Sequence, residues 1–324
     1  MKWVAIVHND FDGTASAAIY ARAVNALPTS VLFTEPTRLA KLLKGFELRD
    51  AKRIVIADLG INASTFDDIL KEVRRLSSQG AEIQWFDHHV WKEEWKKALT
   101  EAGVQVYHDT STCGGGLVHK VMNPDDEVSE VIARADCSVD LWLHDYPLGE
   151  KLRRVIENRR EFEWKKHVIV KFFNGAVWDE EFERILNDMV NKELKGYNEL
   201  MKYARVIEVN GVKGVVAVRW KGPPDISYAS QYLMARTGAQ FYASANGRSI
   251  SFRSSTIDVR RFAEALGGGG HPLAAGAGLK APFLKYFLYK LGMRKPMLDW
   301  VTDVVEEVVR KTGVVQYQKA KAQS

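Results

Sequence analysis

The sequence predicts an α/β protein with an N-terminal parallel sheet, a helical bridge and a smaller C-terminal α/β domain with a mixed sheet. Three observations predict this fold. In the first half, short apolar runs alternate with amphipathic stretches, which is typical of a parallel sheet covered by helices on both faces. From Asp125 to Arg205 the periodicity is almost entirely helical. Further on, two apolar runs are each interrupted by Asn-Gly, which indicates hairpins.

The first half alternates predicted strands and helices, and each crossover should be right-handed. The strands are predicted at WVAIV, VLFTE, RIVIAD, EIQWFD and VQVYHD. The helices are predicted at TASAAIYARAVNAL, RLAKLLKGF, ASTFDDILKEVRRLSSQG, WKKALTEAG and GGGLVHKVM. Thr14 is a candidate N-cap for the first of these helices.

The second half begins with a bridge in which Gly, Ser and Pro are scarce, so we expect helices there and no flexible linker. The hairpins should turn at Asn210-Gly211 and Asn246-Gly247, followed by a helix at VRRFAEAL, the run GGGGHPLAAGAG and a last helix. The final QKAKAQS is polar and predicted to be disordered. The predicted limits are a first domain at 1–140, the bridge at 141–205, a second domain at 206–316 and a tail at 317–324.

The composition predicts a cytoplasmic protein. None of the 324 residues lies in a run of about 18 to 20 apolar residues, and the N-terminus enters a strand directly, unlike a signal peptide. Cys113 and Cys137 are far apart and form no C-x-x-C, so they are expected to be reduced thiols. The net charge of +5 moderately favours anionic partners.

A basic stretch within the bridge, KLRRVIENRREFEWKK, leaves two interpretations open. Its cations and the nearby Phe162, Trp164, Phe172 and Phe173 could follow the phosphates and bases of a single strand. Alternatively, the charges form ion pairs on a solvated helix face, and the aromatic rings belong to the core.

Polar residues cluster at the ends of three predicted strands. They are His8, Asp10 and Asp12, then Asp58, and then Asp87, His88 and His89. One aspartate after a strand is often only a helix cap, but three mixed clusters at the carboxyl edge of one sheet would converge on a ligand. Nitrogen and oxygen donors without thiolates suit manganese, magnesium, cobalt or zinc. Several carboxylates in one crevice favour more than one cation, because unpaired buried charge is costly.

These motifs resemble those of the DHH phosphoesterase family. HNDFDG, IADLG and FDHH resemble its motifs I to III, and ARADC, with Asp136, resembles the fourth. DTSTCGGGLVHKV resembles the segment that precedes the fourth motif, while SISFRSS and GGGGHPLAAGAG resemble the companion DHHA1 domain. The resemblance identifies 1–140 as a DHH domain and 206–316 as a DHHA1 domain.

The resemblance implies two divalent cations, with Mn²⁺ expected first and Mg²⁺ or Co²⁺ as alternatives. The implied metal ligands are His8, Asp10, Asp12, Asp58, His88 and Asp136. In this assignment His8 and Asp10 hold one ion, Asp58 bridges to the other, and the remaining three complete the second site. Two such ions would acidify water and stabilise an in-line displacement at phosphorus.

The family pattern also implies catalytic roles for Asp58, Asp87 and His89. Asp87 would orient the neighbouring imidazoles as an outer carboxylate. His89 would contact the phosphoryl oxygen or the leaving group.

The glycine run is interpreted as part of a nucleotide-binding site. It is not a Walker loop, since G-K-[ST] is missing. Gly268, Gly269 and Gly270 would let backbone N–H groups approach a phosphate, and Pro272 would start a helix aimed the same way. His271 and Arg253 would contact the nucleotide, with Arg248 and Arg260 as weaker candidates.

The predicted function is a two-metal exonuclease for single-stranded DNA or RNA. Size, motif spelling and a thermophile-like composition make the chain similar to archaeal RecJ-like exonucleases of the Hef-associated type, which implies 3′-to-5′ release of mononucleotides. By resemblance, a Hef-type helicase or nuclease of replication or repair is a candidate partner. One alternative is a nanoRNase that hydrolyses short oligonucleotides, or a cyclic-dinucleotide phosphodiesterase. The other is a non-catalytic single-strand-binding scaffold for replication or repair.

Overall fold

The structure, a computed structural model, describes residues 2–48, 52–157, 161–219 and 222–317. The chain folds as two compact units, Met1–Asn187 and Asp188–Ser324, so the division falls within the predicted helical bridge. The segment QKAKAQS lies outside the described residues. No helix of the described residues is long and apolar enough to cross a membrane.

The first unit contains a parallel sheet, as predicted, and its strand order is β2-β1-β3-β4-β5. The strands are β1 (Trp3–His8), β2 (Ser30–Thr34), β3 (Arg53–Ala57), β4 (Glu82–Asp87) and β5 (Val104–His108). In β1, β3 and β4 the alternating side chains are buried on both faces, as expected for a sheet between two layers of helices. Trp3, Val7 and Phe86 belong to the core on one face, and Ile56 and Trp85 to the core on the other.

Nine α-helices lie in or begin within the described part of the first unit. They are α1 (Phe11–Ala23), α2 (Leu39–Gly45), α3 (Phe66–Ser78), α4 (Glu93–Glu101), α5 (Gly114–Met122), α6 (Glu127–Asp140), α7 (Pro147–Glu157), α8 (Phe162–Phe173) and α9 (Glu180–Lys202). Helix α1 is buried over most of its length against α5, α6 and α8. The first motif is therefore fixed between the sheet and this second helical layer.

The predicted N-cap of α1 is wrong. The helix begins three residues before Thr14, and Asp10 is its N-cap, accepting a hydrogen bond from Gly13 N at 3.0 Å. Thr14 instead donates its hydroxyl proton to the Asp10 carbonyl at 2.6 Å. A carboxylate is a strong acceptor for the free N–H groups at a helix start, and the positive end of the helix dipole stabilises its negative charge. Asp10 is thus positioned by the helix that follows it.

The aromatic residues of the bridge belong mainly to the core. Trp164 and Phe172 on α8 are buried in the core that also contains α1, and Phe162 stacks on Phe33 with 5.5 Å between ring centroids. The core interpretation is therefore confirmed for Trp164 and Phe172.

The basic residues of the bridge are largely engaged in ion pairs. Arg154 donates to Glu150 at 2.9 Å and Lys166 to Glu163 at 2.7 Å, while Lys171 pairs with Asp179 and Glu181. These contacts favour the interpretation as ion-paired helix faces. Residues 158–160 of the same stretch lie outside the described residues.

A bidentate ion pair joins α1 to the start of α6. Arg22 Nε and Nη2 donate to Asp126 at 2.6 and 2.7 Å, and Arg22 Nη1 donates to the Phe173 carbonyl at 2.8 Å. The guanidinium of Arg22 holds the pKa of Asp126 well below its usual range.

We expect Asp126→Asn to lower the free energy of unfolding at pH 7 by about 1 to 2 kcal/mol. Asparagine retains the ability to cap α6, so the substitution removes mainly the charge. Because folding depresses this pKa, its contribution is present above the unfolded value and is lost as pH falls. The difference from wild type in urea denaturation should therefore shrink below about pH 4. A difference that stays constant with pH would contradict the ionic origin.

The second unit contains a mixed sheet, which confirms the prediction, and its strand order is β10-β11-β9-β8-β7-β6. Its strands are β6 (Ala204–Val209), β7 (Val212–Val218), β8 (Phe241–Ala245), β9 (Ser249–Ser254), β10 (Gly269–His271) and β11 (Ala274–Gly278). The β7–β8 pair is parallel and the other pairs are antiparallel. Helices α10 (Ile226–Thr237), α11 (Arg260–Ala265), α12 (Phe283–Lys290) and α13 (Lys295–Thr312) complete the unit. Both predicted hairpins are present.

The helix predicted to start at Pro272 is wrong. Gly269–His271 and Ala274–Gly278 form an antiparallel hairpin, and Pro272 lies in its turn. A Cβ at Gly268 would come within 2.2 Å of the Gly276 carbonyl oxygen, so glycine permits close approach of the strands here. Because Pro272 lies in this turn, it does not begin a helix whose positive end could bind a phosphate.

The prediction of two reduced thiols is also wrong for this structure. Cys113 and Cys137 form a disulfide with Cα atoms 5.1 Å apart. Cys113 is the N-cap of α5, and Cys137 lies on α6, which packs against α5. Packing of the two helices brings together cysteines that are distant in sequence.

Candidate active site

The predicted polar clusters meet at the carboxyl edge of the first sheet. The parallel register places Val7 beside Ala57 and Ala57 beside Phe86, so the residues that follow these strands are neighbours. Residues from β1, β3 and β4 therefore share one edge, as ligand-binding residues do in open α/β sheets.

The first donor group consists of His8, Asp10 and Asp58. Their ligand atoms all lie within 4.8 Å of one another. His8 Nδ1 contacts an Asp10 carboxylate oxygen and lies 3.5 Å from Asp58 Oδ2. The other ring nitrogen, Nε2, lies 3.1 Å from Glu35 Oε2. A carboxylate on Nε2 favours a proton there and leaves Nδ1 as the lone-pair donor toward a metal.

The second donor group is centred on His88. His88 Nε2 lies 3.4 Å from Asp58 Oδ1, 3.5 Å from Asp12 Oδ2 and 3.6 Å from Asp140 Oδ2. Asp58 thus directs one oxygen to each donor group. The backbone of Asp58 has φ of +53°, a left-handed conformation that aspartate tolerates better than most residues.

Asp12 is fixed by the start of helix α5. Its Oδ2 accepts from Gly114 N at 2.8 Å and its Oδ1 from Gly115 N at 2.6 Å. A Cβ at Gly115 would lie 2.4 Å from Asp136 Oδ2, so a larger residue could not bring the backbone this close. The glycines before the fourth motif therefore serve to bind a carboxylate of the first motif.

The two aspartates of α6 occupy different positions. Asp136 is completely buried beside Asp12 and the disulfide, with its Oδ2 3.4 Å from Cys113 Sγ. Asp140, one helical turn later, faces His88 together with Asp12. The structure thus brings Asp140, which the sequence analysis did not select, into the second donor group and places the predicted ligand Asp136 behind Asp12.

Asp87 and His89 form a separate pair. Asp87 is fully buried and lies 3.0 Å from His89 Nδ1, while it also accepts from the His89 backbone N–H at 3.1 Å. The hydrogen bond that the His89 ring donates to Asp87 raises the pKa of His89. His108 Nε2 in turn lies 2.6 Å from the His89 carbonyl oxygen. The ring of His89 is therefore held from Nδ1, and Nε2 is its remaining functional atom.

The histidines in the two donor groups strongly favour the protonated state. Burial by itself would lower the pKa of His8, but the hydrogen bond to Asp10 and the negative charges of Asp10 and Asp58 outweigh it and raise the pKa to about 11. Burial likewise opposes protonation of His88, yet Asp58, Asp12 and Asp140 raise its pKa to about 9. The surrounding carboxylates thus create a strong demand for positive charge.

The raised pKa values of the carboxylates in the two donor groups also indicate that the site favours added positive charge. Burial, and then the charges of Asp12 and Asp10, raise the pKa of Asp58 well above its usual range. Burial and the charge of Asp12 raise the pKa of Asp140 to about 7. Among the described residues, Asp58 Oδ2, His88 Nε2 and Asp136 Oδ1 are buried atoms without a hydrogen-bond partner. Buried carboxylates and imidazoles with unused lone pairs fit divalent cations that prefer oxygen and nitrogen ligands.

Lys165 on α8 anchors the first motif from behind. Its side chain is only 3% exposed, and Nζ donates to Asn9 O at 2.8 Å and to Asn9 Oδ1 at 2.6 Å. Burial lowers the pKa of Lys165, and the charge of Asp10 opposes that effect. This buried cation therefore fixes the main chain between His8 and Asp10.

We expect Lys165→Met to weaken Mn²⁺ binding by about tenfold, because the first motif loses the group that fixes its main chain. Titration of free Mn²⁺ by electron paramagnetic resonance measures this change. The matched control is Lys166→Met, which removes only an exposed ion pair with Glu163 and should leave the affinity unchanged. Equal affinities for both variants would refute the anchoring role.

The predicted nucleotide contacts of the second unit lie in one row across its sheet. Arg253 on β9 pairs with Ala274 on β11, which in turn pairs with His271 on β10. Burial lowers the pKa of Arg253. A Cβ at Gly269 would meet open space, whereas Gly268 N is already bonded to the Ala263 carbonyl and Gly270 is tightly packed at φ +134°. Of the three predicted glycines, Gly269 therefore remains the candidate for close ligand approach.

A second arginine, missed in the sequence, accompanies Arg253. The positive charge of Arg219 acts on Arg253, and Arg219 Nη2 donates to Ser251 Oγ at 2.5 Å. Ser251 is two residues before Arg253 on β9, so both guanidinium groups are held by the same strand region. Two neighbouring, half-buried cations form a better anion site than either alone.

Three other residues of the first unit were missed. Asp140 had a usable signal, since its i, i+4 spacing from Asp136 places both on one helix face. Glu35 follows β2 directly and could have been found by the same strand-end rule as Asp58. Lys165 had no such signal, because its contact with Asn9 depends on packing of α8 against α1.

A parallel sheet whose carboxyl edge gathers carboxylates and imidazoles into two donor groups defines an α/β protein with a candidate two-metal centre. Residues 2–139 match the model of the DHH family, N-terminal domain, and residues 219–293 match the model of the DHHA1 domain. The chain therefore has a region that matches the DHH domain followed by a region that matches the DHHA1 domain, in the order that the sequence motifs predict. No curated protein matches the sequence.

Several solved structures share this fold. The pGpG-specific phosphodiesterase of Vibrio cholerae is 12% identical with a TM-score of 0.57, over 93% of this chain and 99% of that chain. A RecJ exonuclease bound to manganese is 17% identical with a TM-score of 0.53, over 96% of this chain and 93% of that chain. RecJ from Thermus thermophilus in complex with Mn²⁺ is 17% identical with a TM-score of 0.51, over 93% of this chain and 52% of that chain. At these identities the similarity shows the fold alone.

Proposed function

We propose that this protein is a phosphodiesterase dependent on two divalent cations, which removes mononucleotides from the ends of single-stranded DNA or RNA. The observation that carries the proposal is the position of Asp58, which directs Oδ2 toward His8 and Oδ1 toward His88. One buried carboxylate shared by two donor groups suits a pair of cations better than a single ion.

We assign the ligands from the two donor groups. His8, Asp10 and Asp58 would hold the first cation, and Asp58, Asp12, His88 and Asp140 the second. This set keeps five of the six ligands implied by the motifs and replaces Asp136 with Asp140. When bound, the cations supply Lewis acidity at the phosphoryl oxygens and lower the pKa of water.

The residues of the chain position the substrate and the ligands. The amides of Gly114 and Gly115 hold Asp12 in place, and Asp136 supports Asp12 from the buried side. Asp87 holds Nδ1 of His89, so Nε2 can donate a hydrogen bond to the phosphoryl oxygen or to the departing oxygen. In the second unit, the candidates for binding a phosphate or a base are Arg253, Arg219, His271 and Gly269.

Three features of the proposal come from resemblance. Manganese is favoured because two RecJ structures with this fold contain it. The 3′-to-5′ direction follows the archaeal RecJ-like proteins, and a role in replication or repair with a Hef-type partner has the same origin. The fold shared with a pGpG-specific phosphodiesterase makes dinucleotide hydrolysis the second candidate function.

A single set of digestions tests the proposal. Single-stranded 20-mers of DNA and RNA, labelled at either end, and the dinucleotide pGpG are incubated with Mn²⁺ and separately with Mg²⁺. We expect mononucleotides to be released from the 3′ end of the 20-mers with Mn²⁺. Turnover of pGpG alone would favour the dinucleotide phosphodiesterase, and binding of strands without any cleavage would favour the scaffold.

A further inference from the structure

A short loop next to the metal centre has an unusual backbone. It covers residues 141–146 and follows α6 directly after Asp140. Trp142 has φ of +60° and His144 has φ of +55°. Left-handed conformations are uncommon for residues other than glycine, asparagine, aspartate and histidine, so the bulky Trp142 is the strained residue of the two.

The loop is held in this conformation by several hydrogen bonds to one residue. Ser138 O accepts from Leu143 N at 3.0 Å and from His144 N at 2.8 Å, and Ser138 Oγ accepts from Tyr146 N at 2.9 Å. The side chain of His144 contacts Glu150. The strained backbone is therefore imposed by its surroundings, which also fixes the position of Trp142.

Core packing does not account for the strain. Trp142 is 48% exposed, and its ring contact is with His144, at 4.3 Å between centroids and 72° between planes. The indole is not among the described side chains packed on the cores of this unit, so core packing does not explain why the strain persists. Strained residues that persist next to a functional centre are candidates for a functional role.

We propose that Trp142 stacks on a nucleobase of one of the two nucleotides joined by the scissile phosphodiester. This inference rests on the proposed function. Trp142 is two residues from Asp140, which belongs to the second donor group. The exposed Asp145 makes this rim unfavourable for a phosphate, whereas an uncharged base with a π-face suits an indole. Stacking is also tolerant of base identity, as an exonuclease requires.

The test combines a protein variant with a change in the substrate. Trp142→Ala is compared with wild type on a single-stranded 20-mer and on strands with a tetrahydrofuran abasic residue at the terminal or penultimate position. We expect Trp142→Ala to raise KM for the intact strand by about tenfold. We expect no further rise on the abasic strand that lacks the stacked base. Trp142→Phe should retain most of the affinity, and Leu143→Ala, an exposed apolar neighbour, should match wild type.

A stability measurement separates stacking from a structural role. Asparagine tolerates the left-handed conformation, so Trp142→Asn should raise the melting temperature by about 2 °C and still raise KM as much as Trp142→Ala. A lower melting temperature together with an unchanged KM would indicate a structural residue and overturn the inference.

The two proposals fail in different ways. If wild type cleaves the strands and Trp142→Ala has the same KM on the intact strand, the stacking role is overturned while the phosphodiesterase stands. If Trp142→Ala raises KM equally on the intact strand and on both abasic strands, the stacking role is again overturned. A wild-type protein that cleaves no strand or dinucleotide contradicts the proposed function, and the stacking role falls with it.

Discussion

Replacing Asp58 with asparagine is expected to lower kcat by about a thousandfold or more, while it stabilises the metal-free protein. The loss of activity follows from the shared position of Asp58 between His8 and His88. The gain in stability follows from its burial close to Asp12 and Asp10, whose charges raise its pKa well above the usual range. A neutral amide of the same size removes that repulsion, and we expect about 1 to 2 kcal/mol of added stability.

Thermal unfolding with and without Mn²⁺ checks both parts of this prediction. Without metal, Asp58→Asn should melt above wild type. With saturating Mn²⁺ the order should reverse, because only the wild type gains the full free energy of binding two ions. Asp68→Asn, at an exposed position on α3, is the control and should follow wild type in both conditions. Full activity in Asp58→Asn would refute the assignment of the metal centre.

The second large effect distinguishes the two aspartates of α6. We expect Asp140→Asn to lower kcat by about a thousandfold, because Asp140 faces His88 within the second donor group. Asp136→Asn should lower kcat by only about ten- to a hundredfold, since the new amide can still donate a hydrogen bond to Asp12. The family pattern carried onto ARADC implies the opposite order.

Metal stoichiometry provides the decisive measurement for this pair. Asp136→Asn should still bind two Mn²⁺ ions per chain at saturation, and Asp140→Asn should bind one at the same concentration. Asp145→Asn, five residues after Asp140 and exposed, controls for the general loss of negative charge near the site. If Asp136→Asn is the variant that loses an ion, the motif assignment is right and the geometric one is wrong.

Much of the first unit could be predicted because its signals are local. A strand buried on both faces needs a continuous apolar run, so WVAIV, RIVIA and EIQWF are readable without knowledge of their partners. The polar residues that end these runs mark the carboxyl edge of the sheet. For that reason His8, Asp58 and His88 could be placed together before any distance was known.

The errors fall where a local pattern has more than one tertiary outcome. A Gly-rich run followed by proline suits a phosphate-binding helix start, but it equally suits a tight hairpin, and pairing with β9 selects the hairpin. Thr14 and Asp10 are both good caps, and the burial of α1 from its first turn selects Asp10. Cys113 and Cys137 have no sequence spacing that indicates a bond, and the packing of α5 on α6 brings them together.

The sequence by itself determined the class of fold, the edge of the sheet that bears the site and the nitrogen and oxygen character of its donors. These depend on apolar periodicity and residue chemistry, which are properties of short segments. Only the tertiary structure places Asp140 next to His88, brings Lys165 to the first motif and leaves Trp142 half exposed after α6. Those outcomes depend on which helix faces meet, and helix packing is set by contacts between residues far apart in the chain.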